Sequence, residues 1–160
     1  MNSQIATGSG RELRVPGNLL RVLVMSGDSL LVGSLTDACR ADGRTELAAT
    51  VGSAEAAFQA IQCEPFDLAL IDFDLPILES IGAVQMIASA GTHTEVMVVL
   101  SMANIGGVLS AVQAGANSVL TKERTNSQEV VQALVRLCAG ESSISPEIAR
   151  HLIERYQRTH

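Results

Sequence analysis

Short apolar runs of strand length alternate with segments of helical spacing, and that alternation limits this chain to a small set of folds. The runs are Leu20–Met25, Leu47–Val51, Leu68–Ile71, Val96–Leu100 and Ser118–Leu120. Between them apolar residues recur every three or four positions: Leu31, Leu35 and Ala38; Ala54, Phe58 and Ile61; Ile81, Val84 and Ile87; Val108 and Val112; Val130, Leu134 and Leu137. Strands without an exposed polar face, each followed by a helix, predict a five-stranded parallel sheet covered on both sides, an α/β doubly wound architecture. Ser145-Pro146-Glu147 then reads as the start of a further helix, with Ser as cap and Pro in the first turn. Its apolar face is expected to be Ile148, Leu152 and Tyr156.

At 160 residues the chain is one domain's worth and long enough to bury a core. Aromatic residues are only 2%, too few for a base-stacking platform. The net charge of −6 argues against a nucleic-acid surface on this segment. Lys122 is the only lysine. Cys39, Cys63 and Cys138 are widely spaced, lack metal-ligand pairing and read as buried thiols in a reducing cytoplasm. Residues 1–19, rich in Gly, Ser and Asn, read as a flexible lead-in without the apolar core of a signal peptide. The stretch 96–121 contains no charged residue, but its Asn, Gln, Ser and Gly content and its change of period argue against a membrane span.

In open parallel sheets, ligands bind beyond the carboxyl ends of the strands. The third strand ends at Asp72, the fourth at Ser101, and the fifth just before Lys122. A carboxylate, a hydroxyl and an ammonium on one edge suit phosphoryl chemistry, with Asp as nucleophile and the other two meeting phosphate oxygens. The plainer alternative is that each polar residue merely marks a strand end.

Residues 20 to 139 resemble the receiver domain of two-component response regulators. PFDLALIDFDLP is similar to the segment that carries the phosphoacceptor, with Asp72 in that place and Pro76 four residues on. Ser101 matches the switch hydroxyl, and Lys122, after AGANSVLT, the lysine that contacts the phosphoryl group. GESSISPEIARHLIERY resembles the linker of the NarL/FixJ-type branch, which leads into a helix-turn-helix DNA-binding domain. The resemblance implies a flavodoxin-like fold, with a receiver over 20–140 and a linker helix over 141–160. The output domain is not contained in these residues. It also implies a cytoplasmic, non-enzymatic transcription regulator that forms homodimers and answers to a histidine kinase or another regulatory protein.

The sequence departs from that pattern at four places. Ser26 and Gly27 stand where receivers carry an acidic pair for Mg²⁺, and Asp28 is one step late. Val119 stands at the aromatic switch position, and Ser80 replaces the usual glycine. Mg²⁺ wants octahedral oxygen ligands with one or two carboxylates, which leaves Asp72, helped by Asp28 only if its loop shifts. Asp74 is expected to face solvent. Asp72 and Lys122 together carry no net charge, so weak metal binding and slow or absent phosphorylation are expected.

Two further readings follow from the residues. In one, small molecules or a partner protein regulate the receiver without phosphorylation. In the other, IDFDLPILES resembles the opening of haloacid-dehalogenase-type phosphatases, although Pro76 stands where that motif wants a small hydroxyl residue. The expected fourth helix, MANIGGVLSAVQAGA, is uncharged and holds Gly106-Gly107. Ile105 and Leu109 fall on a different side from Val108 and Val112, as in a helix covered by a second copy.

Overall fold

The computed structural model describes residues 18–159 other than residue 124. Residues 1–17, most of the expected lead-in, lie outside the described residues. Five strands, β1 (Leu20–Met25), β2 (Thr45–Val51), β3 (Leu68–Asp72), β4 (Glu95–Leu100) and β5 (Ser118–Thr121), pair in the order 2-1-3-4-5. Every pairing is parallel, as in a flavodoxin-type receiver fold. The helices are α1 (Ser29–Asp42), α2 (Ala54–Cys63), α3 (Ile77–Ala88), α4 (Val108–Ala114), α5 (Ser127–Cys138) and α6 (Pro146–Thr159).

The period-two geometry of a strand divides the core into two layers. Val22 and Val24 of β1, Leu68 and Leu70 of β3, and Met97 and Val99 of β4 meet α1 and α5 through Leu35, Val130, Leu134 and Leu137. Their neighbours Leu23, Met25, Ala69, Ile71 and Val98 face the opposite way, onto α2, α3, α4 and Ile148 of α6. Because both faces are covered, β3 is buried at all five positions, Asp72 included. Caps fix where the helices start. The Asp28 side chain accepts the Leu30 and Leu31 N–H groups at the head of α1, and Asn126 forms a reciprocal capping box with Glu129 in α5.

Three expectations are corrected. The fourth helix is not continuous: Met102–Gly107 is a 3-10 segment with non-helical dihedrals at Asn104, and α4 proper begins at Val108. Gly106 and Gly107 disfavour a regular α-helical start, and side-chain bonds described below hold the tighter form. Tyr156, placed on the buried face of α6, is 64% exposed, because the packing of α6 on the core ends at Leu152. Cys63 is exposed rather than buried, being the last residue of α2, beyond Ile61.

The outer edge of β5 is not left open. Val119 N–H donates to Ser143 O at 3.0 Å, and Ser145 N–H donates to Val119 O at 3.1 Å. Thr121 N–H donates to Ser145 Oγ at 3.0 Å and Ser143 N–H to Ser118 Oγ at 2.9 Å. The lead-in to α6 therefore covers an edge that would otherwise present unpaired backbone groups. Among the described residues no helix is long and apolar enough to cross a membrane.

Gly115 ends α4 at φ 122°, and a Cβ there would lie 2.6 Å from Ala88 Cβ. Gly115→Ala is expected to lower stability by about 1–3 kcal/mol, read from urea midpoints at unchanged slope. Gly106→Ala meets no atom within 4 Å and is expected to be neutral or mildly stabilising. Equal destabilisation by both would contradict this account of the turn.

Candidate functional site at the carboxyl edge of the sheet

Asp72 closes β3 with its side chain 3% exposed, and both its oxygens are engaged. Oδ2 accepts the Ser26 hydroxyl at 2.7 Å, and Ser26 Oγ in turn accepts the Asp28 N–H at 3.0 Å. Oδ1 lies 2.9 Å from Lys122 Nζ and accepts the Asp74 N–H at 2.9 Å. That last bond is an Asx-type turn, in which a carboxylate bonds the backbone two residues on. It folds the chain back so that the Asp74 side chain returns to the pocket. Ser80, 0% exposed, donates its hydroxyl to the Asp72 carbonyl at 3.1 Å and fastens the strand end to α3.

Asp74 is exposed, as expected, but its carboxylate also turns to Lys122, a pairing the sequence reading did not include. Its side chain is only 23% exposed, and Oδ2 lies 2.8 Å from Lys122 Nζ. Oδ1 accepts Ser101 N–H at 3.1 Å, Ser101 Oγ–H at 3.0 Å and Asn104 Nδ2–H. Lys122 thus bridges two carboxylates, while Ser101 and Asn104 tie the 3-10 segment to the second of them. Glu123 adds a parallel tie by accepting Met102 N–H at 3.0 Å. The D-x-D spacing, the Asx turn and the solitary lysine were the available signals for Asp74. Asn104 and Glu123 had none beyond their nearness to Ser101 and Lys122.

Charge and burial oppose each other here. Burial pushes the Asp74 carboxyl upward, but the bonds from Lys122, Asn104 and Ser101 and the Lys122 charge outweigh it and hold it below the usual carboxylate range. Burial pushes Lys122 down, yet bonding and attraction from Asp74 and Asp72 hold it above its ordinary value. Counting Asp74, the site carries one net negative charge rather than none.

The arrangement does not fit the Mg²⁺ that the resemblance implies. Asp28 Oδ1 accepts two N–H groups of α1, at 3.0 and 3.2 Å, and serves as a cap. Ser26 donates a proton into the pocket, Gly27 brings no side chain, and an ammonium already lies between Asp72 and Asp74. Among the described residues, no group of three His, Cys, Asp or Glu side chains is arranged to hold a metal. Val119, expected at the aromatic switch position by resemblance, is 1% exposed and bonded on both backbone groups by the lead-in to α6.

The family model for the response regulator receiver domain matches residues 22–135. The chain belongs to the response regulator receiver family. The receiver is 29% identical over 129 residues to the transcriptional regulatory protein PrrA of Mycobacterium tuberculosis, covering 79% of this chain and 54% of that protein. It is 23% identical over 116 residues to a protein-glutamate methylesterase/protein-glutamine glutaminase of Azospirillum brasilense, covering 71% of this chain and 29% of that protein. The receiver thus spans between about a quarter and about half of the length of the curated relatives it matches. Among solved structures, a LuxR-family two-component response regulator from Aurantimonas sp. SI85-9A1 superposes with TM-score 0.76 at 21% identity, covering 89% of this chain and all of that one. The receiver domain of a putative response regulator NarL from Mycobacterium tuberculosis gives TM-score 0.69 at 22% identity, covering 77% and 98%.

A carboxyl whose folded value is depressed stabilises the fold above its unfolded value, here 3.8, and that contribution fades as pH falls through the folded value. Urea midpoints measured from neutral pH down through about pH 4 to about pH 2 are therefore expected to fall less steeply in Asp74→Asn than in the parent. Parallel loss in both proteins would show that Asp74 is not held as described.

Proposed function

We propose that this receiver is an atypical one: Asp72 occupies the phosphoacceptor position, but Lys122 does the neutralising work that a divalent cation does in an ordinary receiver pocket. The observation that carries the reading is the single ammonium at 2.9 Å from Asp72 and 2.8 Å from Asp74, with Ser26 on the remaining Asp72 oxygen. A nucleophilic carboxylate needs an oxygen free to approach phosphorus and positive charge placed on the phosphoryl oxygens. Here both oxygens are engaged, and Ser101, the switch hydroxyl by resemblance, bonds Asp74 instead. Weak or absent Mg²⁺-dependent phosphorylation follows.

On this reading the chain is a non-enzymatic signalling module of the cytoplasm. It acts on transcription by controlling self-association, through a helix-turn-helix output domain outside these residues. In support, a relative 29% identical over 129 residues is named a transcriptional regulatory protein. A histidine kinase or another regulatory protein would act on it. Regulation by a small molecule is the second reading, favoured by an open cleft of about 800 Å³ between α1 and the start of α5. Asp28, Lys122 and Asn126 are among the residues lining it.

The test is incubation with a small acyl phosphate and Mg²⁺, followed by intact-mass spectrometry. No stable adduct is expected under conditions that fully modify an ordinary receiver. A Mg²⁺-dependent phosphoryl group on Asp72, lost in Asp72→Asn, would overturn the reading.

A further inference from the structure

Beside the core-facing residues Ile148 and Leu152, α6 carries a second apolar stripe that stays exposed along the margin of α4. Successive helical residues are about 100° apart, so Ala149, Ile153 and Tyr156 share one flank, roughly 80–140° round the helix from the buried Ile148 and next to Leu152. Ile153 is 58% and Tyr156 64% exposed. Beside them on α4, Leu109 and Val112 are 39% and 40% exposed. Leu109, Leu152, Ile153 and Tyr156, with His151, Arg155 and Gln157 at its edges, line one shallow, mainly apolar groove of about 640 Å³. From Met102 to Ala114 the neighbouring surface contributes no charged side chain.

The charges of α6 indicate what covers this face. Arg150 and Glu154 lie on the flank of the stripe away from Leu152, and among the described residues neither has an ion-pair partner. An antiparallel two-fold axis through Ile153 keeps each flank on its own side and reverses its direction. Arg150 of one copy then lies beside Glu154 of the other, twice over. The same operation sets Tyr156 against the small Ala149, and Ile153 against Ile153. A two-fold contact needs a patch complementary to itself; an apolar seam with one Arg and one Glu on the same flank meets that requirement.

We propose that two copies of this chain associate through the exposed apolar flank of α6 formed by Ala149, Ile153 and Tyr156, antiparallel, with Leu109 of α4 at the margin of the contact. This rests on the reading of the chain as a self-associating receiver and names the surface that does it. Because the lead-in to α6 is bonded to Val119 and Thr121, next to Lys122, the contact helix is fastened to the strand that carries the site.

The test uses the 160-residue chain in sedimentation equilibrium. The parent is expected to dimerise. Ile153→Glu and Ile153→Arg, both at an exposed position that leaves the core intact, are each expected to weaken the dimer by about tenfold or more. An equimolar mixture of the two variants is expected to recover it as a heterodimer. A parent dimer indifferent to both substitutions would overturn the surface while leaving self-association standing. A parent that stays monomeric up to about 1 mM, where an association worth ~4 kcal/mol would show, would overturn both. Weakening by both variants without recovery in the mixture would overturn the antiparallel pairing.

Discussion

One ammonium shared by two carboxylates organises the carboxyl edge of this sheet. Asp72 ends β3 and Lys122 follows β5, with β4 lying between them in the sheet order. The bridge therefore spans three strands, and Asp74 secures the middle one through Ser101. The two halves of the bridge differ in weight. Asp74 and Lys122 are 23% and 22% exposed, so solvent screening keeps their pairing modest. Asp72 is 3% exposed, so removing its cation would leave a buried charge without compensation, which costs about 3–5 kcal/mol in comparable pairs.

The same bridge sets the form of the segment that follows β4. Ser101 and Asn104 are drawn to Asp74, and Met102 N–H to Glu123, so the chain enters α4 through a 3-10 turn instead of a regular helical one. Gly106 and Gly107 lower the resistance to that distortion. On the other side of the site, Thr121 and Val119 are bonded to Ser145 and Ser143, where α6 begins. Any rearrangement of Asp74 and Lys122 must strain or release contacts leading to α4 and α6, which lie side by side.

The sheet was legible because its strands are buried on both faces and their apolar runs are continuous. Even β5, four residues long, is marked by Val119 and Leu120 between polar neighbours. The trio Asp72, Ser101 and Lys122 was legible because strand ends of a parallel sheet converge on one edge. What escaped notice depended on backbone turns. Asp74 reads as a solvent-facing loop residue and is exposed, but the Asx turn on Asp72 also brings its carboxylate to Lys122. Asp28 reads as a displaced metal ligand, although an Asp directly before a helix is first of all a cap. Ser26 reads as a lost acidic position, yet its hydroxyl holds one oxygen of Asp72. Tyr156 fits the period of the buried stripe, but helical spacing does not tell where the body it packs against ends.

The claim that Lys122 takes the place of a divalent cation is tested most directly by titrating Mn²⁺ into the parent and Lys122→Met, following water-proton relaxation. At ~4 Å and an effective dielectric of ~20, one charge pair is worth ~4 kcal/mol. Removing the ammonium should therefore free the Asp72 and Asp74 carboxylates for a cation. The account predicts weak binding to the parent and binding at least about tenfold tighter to Lys122→Met, a difference of ~1.4 kcal/mol. Tight binding to the parent, unchanged in Lys122→Met, would contradict it.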